Sequence, residues 1–225
     1  RTMSRPEPRR PRTLTRADDF VGAGLVAPAD ARALADVTAR YSAAMTGHLA
    51  ALVDPNDPSD PIARQFVPDI SELETAPQER LDPIGDDAHS PCEGLVHRYP
   101  DRVLLKIVSA CPVYCRFCFR RETVGAAKGG MLSPQALETA LAYIRARPQI
   151  WEVILTGGDP LALSPRRLAD VVRAIASINH VKTVRFHTRV PVAAPDLVTD
   201  ELVAAIRAKG VSTWVALHAN HPREL

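Results

Sequence analysis

The sequence predicts an α/β fold, a series of parallel strand–helix units that forms the first part of a barrel behind an N-terminal helical extension. Three observations carry this reading. Beyond residue 99 short apolar runs alternate with amphipathic stretches, two of those stretches open on Ser-Pro, and the chemically unusual residues cluster where the runs end. At 225 residues, 46% hydrophobic and 24% charged, the chain can bury a core and falls in the range of one domain with an appended segment.

Residues 28–44 place Ala31, Leu34, Ala35, Val37 and Tyr41 at helical spacing, which gives a helical layer. From 54 to 90 the pairs Asp54-Pro55, Asp57-Pro58, Asp60-Pro61 and Asp82-Pro83 recur, with Pro68 and Pro77 between them. Each proline turns its predecessor away from helix, so this stretch reads as an extended wrap anchored by Ile62, Phe66, Val67, Ile70 and Leu73. The expected division is 1–94 for the helical and wrapping segment and 95–225 for the barrel.

In the second part, strands are expected at 103–109, 152–156, 183–187 and 212–217, and helices at 133–147, 164–177 and 199–209. Ser133-Pro134 and Ser164-Pro165 each supply an N-cap followed by proline at the first helical position, where a missing N–H does no harm. Leu137, Leu141 and Ile144, then Leu168, Val171, Val172 and Ile175, make single apolar faces that need a sheet to cover them. Parallel strands with right-handed crossovers follow, and four strands leave an open edge that invites pairing or aggregation. In such a fold ligands gather at the C-terminal ends of the strands.

The net charge of +2, from 28 Lys+Arg against 26 Asp+Glu, gives no basic surface for nucleic acid or membrane. No apolar run of about 18 residues and no signal peptide is present, so a cytoplasmic setting is expected. The first residue is Arg1 and the last, Leu225, closely follows a strand, which reads as a piece of a longer protein.

Three of the four cysteines fall in Cys111-Pro-Val-Tyr-Cys115-Arg-Phe-Cys118, a CxxxCxxC spacing that suits a metal cluster better than disulfides. Such a loop can direct three thiolates at a 4Fe–4S cluster and leave its fourth iron without a protein ligand. That iron can hold the amino and carboxylate groups of S-adenosylmethionine (SAM) and pass an electron to its sulfonium. The same thiols could instead close a zinc site with Cys92 or a histidine as fourth ligand, making a non-catalytic binding module. Cys92 by itself reads as a packed small residue.

The residues His97-Arg98-Tyr99-Pro100-Asp101-Arg102, the cysteine motif with Phe119-Arg120-Arg121, Leu155-Thr156-Gly157-Gly158-Asp159-Pro160, Arg189 with Pro191, and His218-Ala219-Asn220-His221-Pro222 stand in one order. That order resembles the lysine 2,3-aminomutase family of radical SAM enzymes and its protein-modifying relatives over about 82–225. The resemblance implies a partial (βα)6 barrel that uses a 4Fe–4S cluster, SAM and pyridoxal 5'-phosphate to shift the α-amino group of lysine to the β-carbon. It implies the cluster on Cys111, Cys115 and Cys118, SAM near Gly157, Gly158, Asp159, His218 and Asn220, pyridoxal phosphate near Arg98, Tyr99 and Arg102, and the substrate carboxylate on Arg120. Arg189 falls to the same cavity. His180, His187 and His221 receive no task.

The pyridoxal lysine of that family falls beyond Leu225. Substrates left open are free lysine, a lysine of elongation factor P, or another amino acid such as glutamate. An external electron donor and a homo-oligomer are the other expected partners. Phe119, where members acting on free lysine carry another residue, leans toward the elongation-factor group.

Overall fold

The computed structural model describes residues 12–125 and 130–225. Five strands form one sheet in sequential order: β1 (Leu95–Tyr99), β2 (Arg102–Val108), β3 (Glu152–Gly157), β4 (Thr183–Thr188) and β5 (Ser212–Leu217). The strands β2 to β5 are parallel, as the alternating texture requires, in register Arg102↔Glu152↔Thr183↔Ser212. The hairpin strand β1 is an addition to the sequence expectation. It pairs antiparallel with β2, Leu95 opposite Leu105 and Tyr99 opposite Arg102. Its five residues lie between Pro91 and Pro100 at the start of the expected barrel, where no strand was expected before 103, and the pairing with β2 makes them one.

Among its described residues the N-terminal segment contains four short helices: α1 (Ala17–Gly22), α2 (Ala31–Arg40), α3 (Gly47–Ala50) and α4 (Ala63–Phe66). Between the strands run α5 (Pro134–Arg145), α6 (Pro165–Ala176), α7 (Val190–Ala193) and α8 (Asp200–Ala205). The hydroxyl of Ser133 accepts from the Ala136 amide and so caps α5, with Pro134 at its first position. Thr199 caps α8 by accepting from Leu202.

Two hydrophobic clusters divide the interior. In the first, Val103, Leu105 and Ile107 of β2, Val153 and Leu155 of β3, and Val184 and Phe186 of β4 meet Ala140, Leu141 and Ile144 of α5 and Leu168, Val171, Val172 and Ile175 of α6. Alternation along each strand therefore turns Leu104, Lys106, Ile154, Thr156, Arg185 and His187 to the opposite, helix-free face. The second cluster gathers Phe20, Leu34, Met45, Leu49, Ile62 and Phe66 around Val113 and Ala193, with Cys115 at its margin. The wrap thus packs against the cysteine loop itself. At the edge of the sheet β5 is exposed, Trp214 at 63% and Leu217 at 44%. Among the described residues no helix is long and apolar enough to cross a membrane.

Candidate functional site

The cysteine loop leaves β2 at its C-terminal end and is clamped there by the exit of β3. The amide of Gly158 donates to Val108 O at 2.6 Å, and that of Asp159 to Ala110 O at 3.0 Å. This approach is too close for a side chain. A Cβ on Gly158 would lie 2.3 Å from Ala110 O, and one on Gly157, whose φ is +113°, 2.5 Å from Val108 O. The two glycines are required by the crossing of two backbones just before Cys111.

On its other side the loop is docked to the wrap. Tyr114 N donates to Ala44 O and Arg116 N to Gln65 O. The Arg116 guanidinium grips both oxygens of Glu72, at 2.9 and 2.6 Å, and Ser42 O. Inside the loop Cys118 N donates to Cys115 O, a tight turn that brings the second and third thiols to one side.

Burial pushes the Cys111 thiol well above the ordinary range, helped by repulsion from Asp159 and the neighbouring thiols. Burial also raises Cys115, while Arg189 pulls in the opposite direction. Thiols in this state favour their protons until a metal displaces them. Among the described residues no three His, Cys, Asp or Glu side chains converge on a single ion position. A 4Fe–4S cluster does not ask for that, because each thiolate binds a different iron. Cys92 bridges Leu95 beside β1 and packs on the sheet core.

Asp159, expected beside SAM, has both carboxylate oxygens taken by protein donors. Oδ1 accepts from Leu161 N and the Thr188 hydroxyl, and Oδ2 accepts from Arg189 N at 2.7 Å. The side chain thus ties the end of β3 to that of β4 and fixes the backbone of the glycine loop. Burial nonetheless raises its pKa, against the pull of those donors.

His218 and Asn220 follow β5 and arrive at the same end. His218 N donates to Thr188 O, its Nε2 lies 3.0 Å from Asn220 Oδ1, and its ring meets Phe117 edge-on at 5.9 Å. Asn220 donates through Nδ2 to Gln65 Oε1. Gln65 and Glu224 were not singled out from the sequence, since a glutamine on a one-turn helix and a glutamate after a strand have no spacing that marks them.

Arg120 lies beside the loop with its side chain 14% exposed, bound to Asp86 at 2.9 Å and over the Phe119 ring at 4.5 Å. Its Nε is buried without a hydrogen-bond partner. Together with Lys106, Asp86 and Phe119 it lines a cavity of about 350 Å³, which adjoins one of about 220 Å³ shared with Gly94 and Gly157. A further cavity, about 720 Å³, lies in the N-terminal segment between Leu34, Pro68 and Glu72 and holds none of the expected site residues.

Arg98 reaches the same Asp86 at 3.5 Å and donates to Ile84 O. Tyr99 and Arg102 are not brought to the cysteines, because they sit at the β1–β2 turn, the opposite end of the sheet. Tyr99 is 60% exposed. Arg102 grips Asp101 through two hydrogen bonds and reaches Glu152. Arg185 also binds Glu152, whose side chain is fully buried, and keeps a buried Nε without a partner. Beyond it the pKa of His187 is lowered from the usual histidine value by loss of solvation and by the Arg185 and Arg120 charges. Polar side chains alternating with core residues along β4 were the available sign of this face.

An iron–sulfur loop clamped at the C-terminal end of a parallel sheet is matched by family comparison. The sequence model of the radical SAM superfamily fits residues 105–225.

The chain belongs to the radical SAM superfamily.

As a radical SAM protein it is related to L-lysine 2,3-aminomutase of Clostridium subterminale, 41% identical over 81% of this chain and 43% of that protein. It is 34% identical to L-lysine 2,3-aminomutase of Escherichia coli, over 77% of the chain and 50% of the relative. It is equally similar to glutamate 2,3-aminomutase of Clostridioides difficile, 34% over 84% of the chain and 44% of the relative. The chain thus spans half or less of the length of these relatives.

Proposed function

We propose that the protein to which this chain belongs is a radical SAM, pyridoxal-phosphate-dependent aminomutase that shifts the α-amino group of lysine to the β-carbon. The observation that carries this is the loop of Cys111, Cys115 and Cys118, held between the glycine clamp and the wrap. The names of the aminomutase relatives support the reaction. The 95–225 part acts as the catalytic half-barrel and 1–94 as the wrap that shields it.

The residues fit the groups this chemistry needs. Three thiols on one loop suit three irons, and the partnerless N–H groups of Arg120 and Arg185 suit anionic oxygens. When bound, the cluster with SAM supplies one-electron chemistry and pyridoxal phosphate carries the migrating nitrogen. Gly157 and Gly158 hold the loop in place. Arg120, braced by Asp86 and Phe119, orients a substrate carboxylate, His218 and Asn220 border the SAM side, and Arg98 with Arg185 supplies cations for a phosphate. The wrap packed on the loop excludes water from the reacting centre.

The proposal also includes a reducing cytoplasm, an external electron donor, a homo-oligomer and a pyridoxal lysine outside this stretch. A second reading, in which the lysine belongs to elongation factor P, rests on the identity of Phe119, which lines the Arg120 cavity.

Anaerobic reconstitution of the complete protein tests the proposal. Iron and sulfide in four-to-four ratio, 5'-deoxyadenosine from SAM, and β-lysine from L-lysine are expected, all lost on replacing the three cysteines by Ala. A colourless protein with one zinc would overturn the cluster, and absence of any β-amino acid would overturn the mutase.

A further inference from the structure

Arg189 follows the last residue of β4 and is 5% exposed. Its guanidinium is held on three sides. Nη2 donates to Gln65 Oε1 and to Glu224 Oε2, and the plane lies over the Phe66 ring at 4.6 Å. Its own amide is fixed by Asp159. The remaining donor direction, Nη1, points at Cys115 Sγ at 3.2 Å, and Nε is buried with no acceptor at all. Glu224, which orders this fork, is itself completely buried and accepts from Gln65, Asn220 N and His221 N on its other oxygen.

A fork so heavily braced, with one arm on the sulfur of Cys115, holds a positive charge and an N–H donor at a fixed place on that sulfur. We infer that Arg189 is a positioning residue that sets the reduction potential of the cluster by donating an N–H···S hydrogen bond to the Cys115 thiolate, with Glu224 moderating its charge. The inference rests on the cluster reading above and adds a control over how readily the cluster takes up its electron.

The sign follows from charge. Reduction adds one negative charge to the cluster, and a hydrogen-bonded cation beside a ligating sulfur stabilises the more negative state, so it raises the potential. A buried carboxylate beside that cation works in the opposite sense. Removing Arg189 and removing the charge of Glu224 must therefore shift the potential in opposite directions.

The test is an EPR-monitored redox titration of the reconstituted full-length protein and its variants, with iron and sulfide content measured on each. Arg189→Gln is expected to move the midpoint to more negative potential, and Glu224→Gln to less negative potential. Arg189→Lys keeps the charge without the fork and is expected between wild type and Arg189→Gln. Shifts of the same sign in both variants, as from general loosening of the site, or no shift in either, would overturn the inference. If Arg189→Gln fails to hold a cluster, Glu224→Gln decides alone, and an unmoved or more negative midpoint rejects the role. A wild-type protein that binds no 4Fe–4S cluster would fail the cluster reading instead, which the iron and sulfide analysis separates.

Discussion

The two ends of the parallel sheet are built on different principles. At the C-terminal end β2 and β3 meet through bare backbone, Gly157 and Gly158 against Val108 and Ala110, and the side chains nearby are thiols and fully committed polar groups such as Asp159. At the N-terminal end, by contrast, Arg102 and Arg185 converge on the buried Glu152, with Asp101 on the rim. The first end obtains position from steric contact, which leaves no slack. The second obtains it from charge, which tolerates small displacements because Coulomb energy falls slowly with distance. A loop that must direct three sulfurs at one cluster belongs at the rigid end.

Substitutions at the two ends sharpen this contrast. Gly158→Ala is expected to have the largest effect, because the new methyl must displace Ala110 and with it Cys111. Iron incorporation falls at least tenfold, and thermal unfolding registers a loss of about 2 kcal/mol or more. A variant that loads iron as wild type does would break the steric account of the C-terminal end.

Glu152→Gln is expected to come second. It leaves two partly exposed guanidiniums without their shared carboxylate, a loss of about 1–2 kcal/mol by denaturant titration. Cluster content remains near wild type, because this end does not hold the loop. Equal loss of iron from both variants would show that the two ends are not independent.

The smallest effect concerns His187, between the ends. Its pKa is depressed in the folded state, so its contribution to stability is whole above about pH 6.5, the usual value for histidine, and declines as the pH falls through that value toward the folded one. Replacement by Asn should flatten the pH dependence of the unfolding midpoint between pH 7 and 5. An unchanged slope would mean that Arg185 and Arg120 do not act on this ring.

Much of the scaffold was legible because its signals are local. Ser133-Pro134 marked the start of α5, and the apolar faces of α5 and α6 named the residues that cover the sheet. CxxxCxxC identified the loop because one short turn must carry all three ligands. The hairpin strand β1 escaped notice, since its pairing partner and not its composition makes it a strand. The partners of Asp159 escaped for a related reason, because the sequence does not show that the Thr188 hydroxyl and the Arg189 amide lie across the fold from it.

By itself the sequence determined the strand–helix alternation, the helix starts and the three sulfurs, all properties of residues within a few positions of one another. Tertiary structure alone decided that Gln65, Arg189 and Glu224, from the wrap, the end of β4 and the turn after β5, would meet beside Cys115. Hydrogen bonds between residues as far apart as Gln65 and Glu224, 159 positions, leave no periodic trace, because what brings them together is the packing of a whole sheet and wrap.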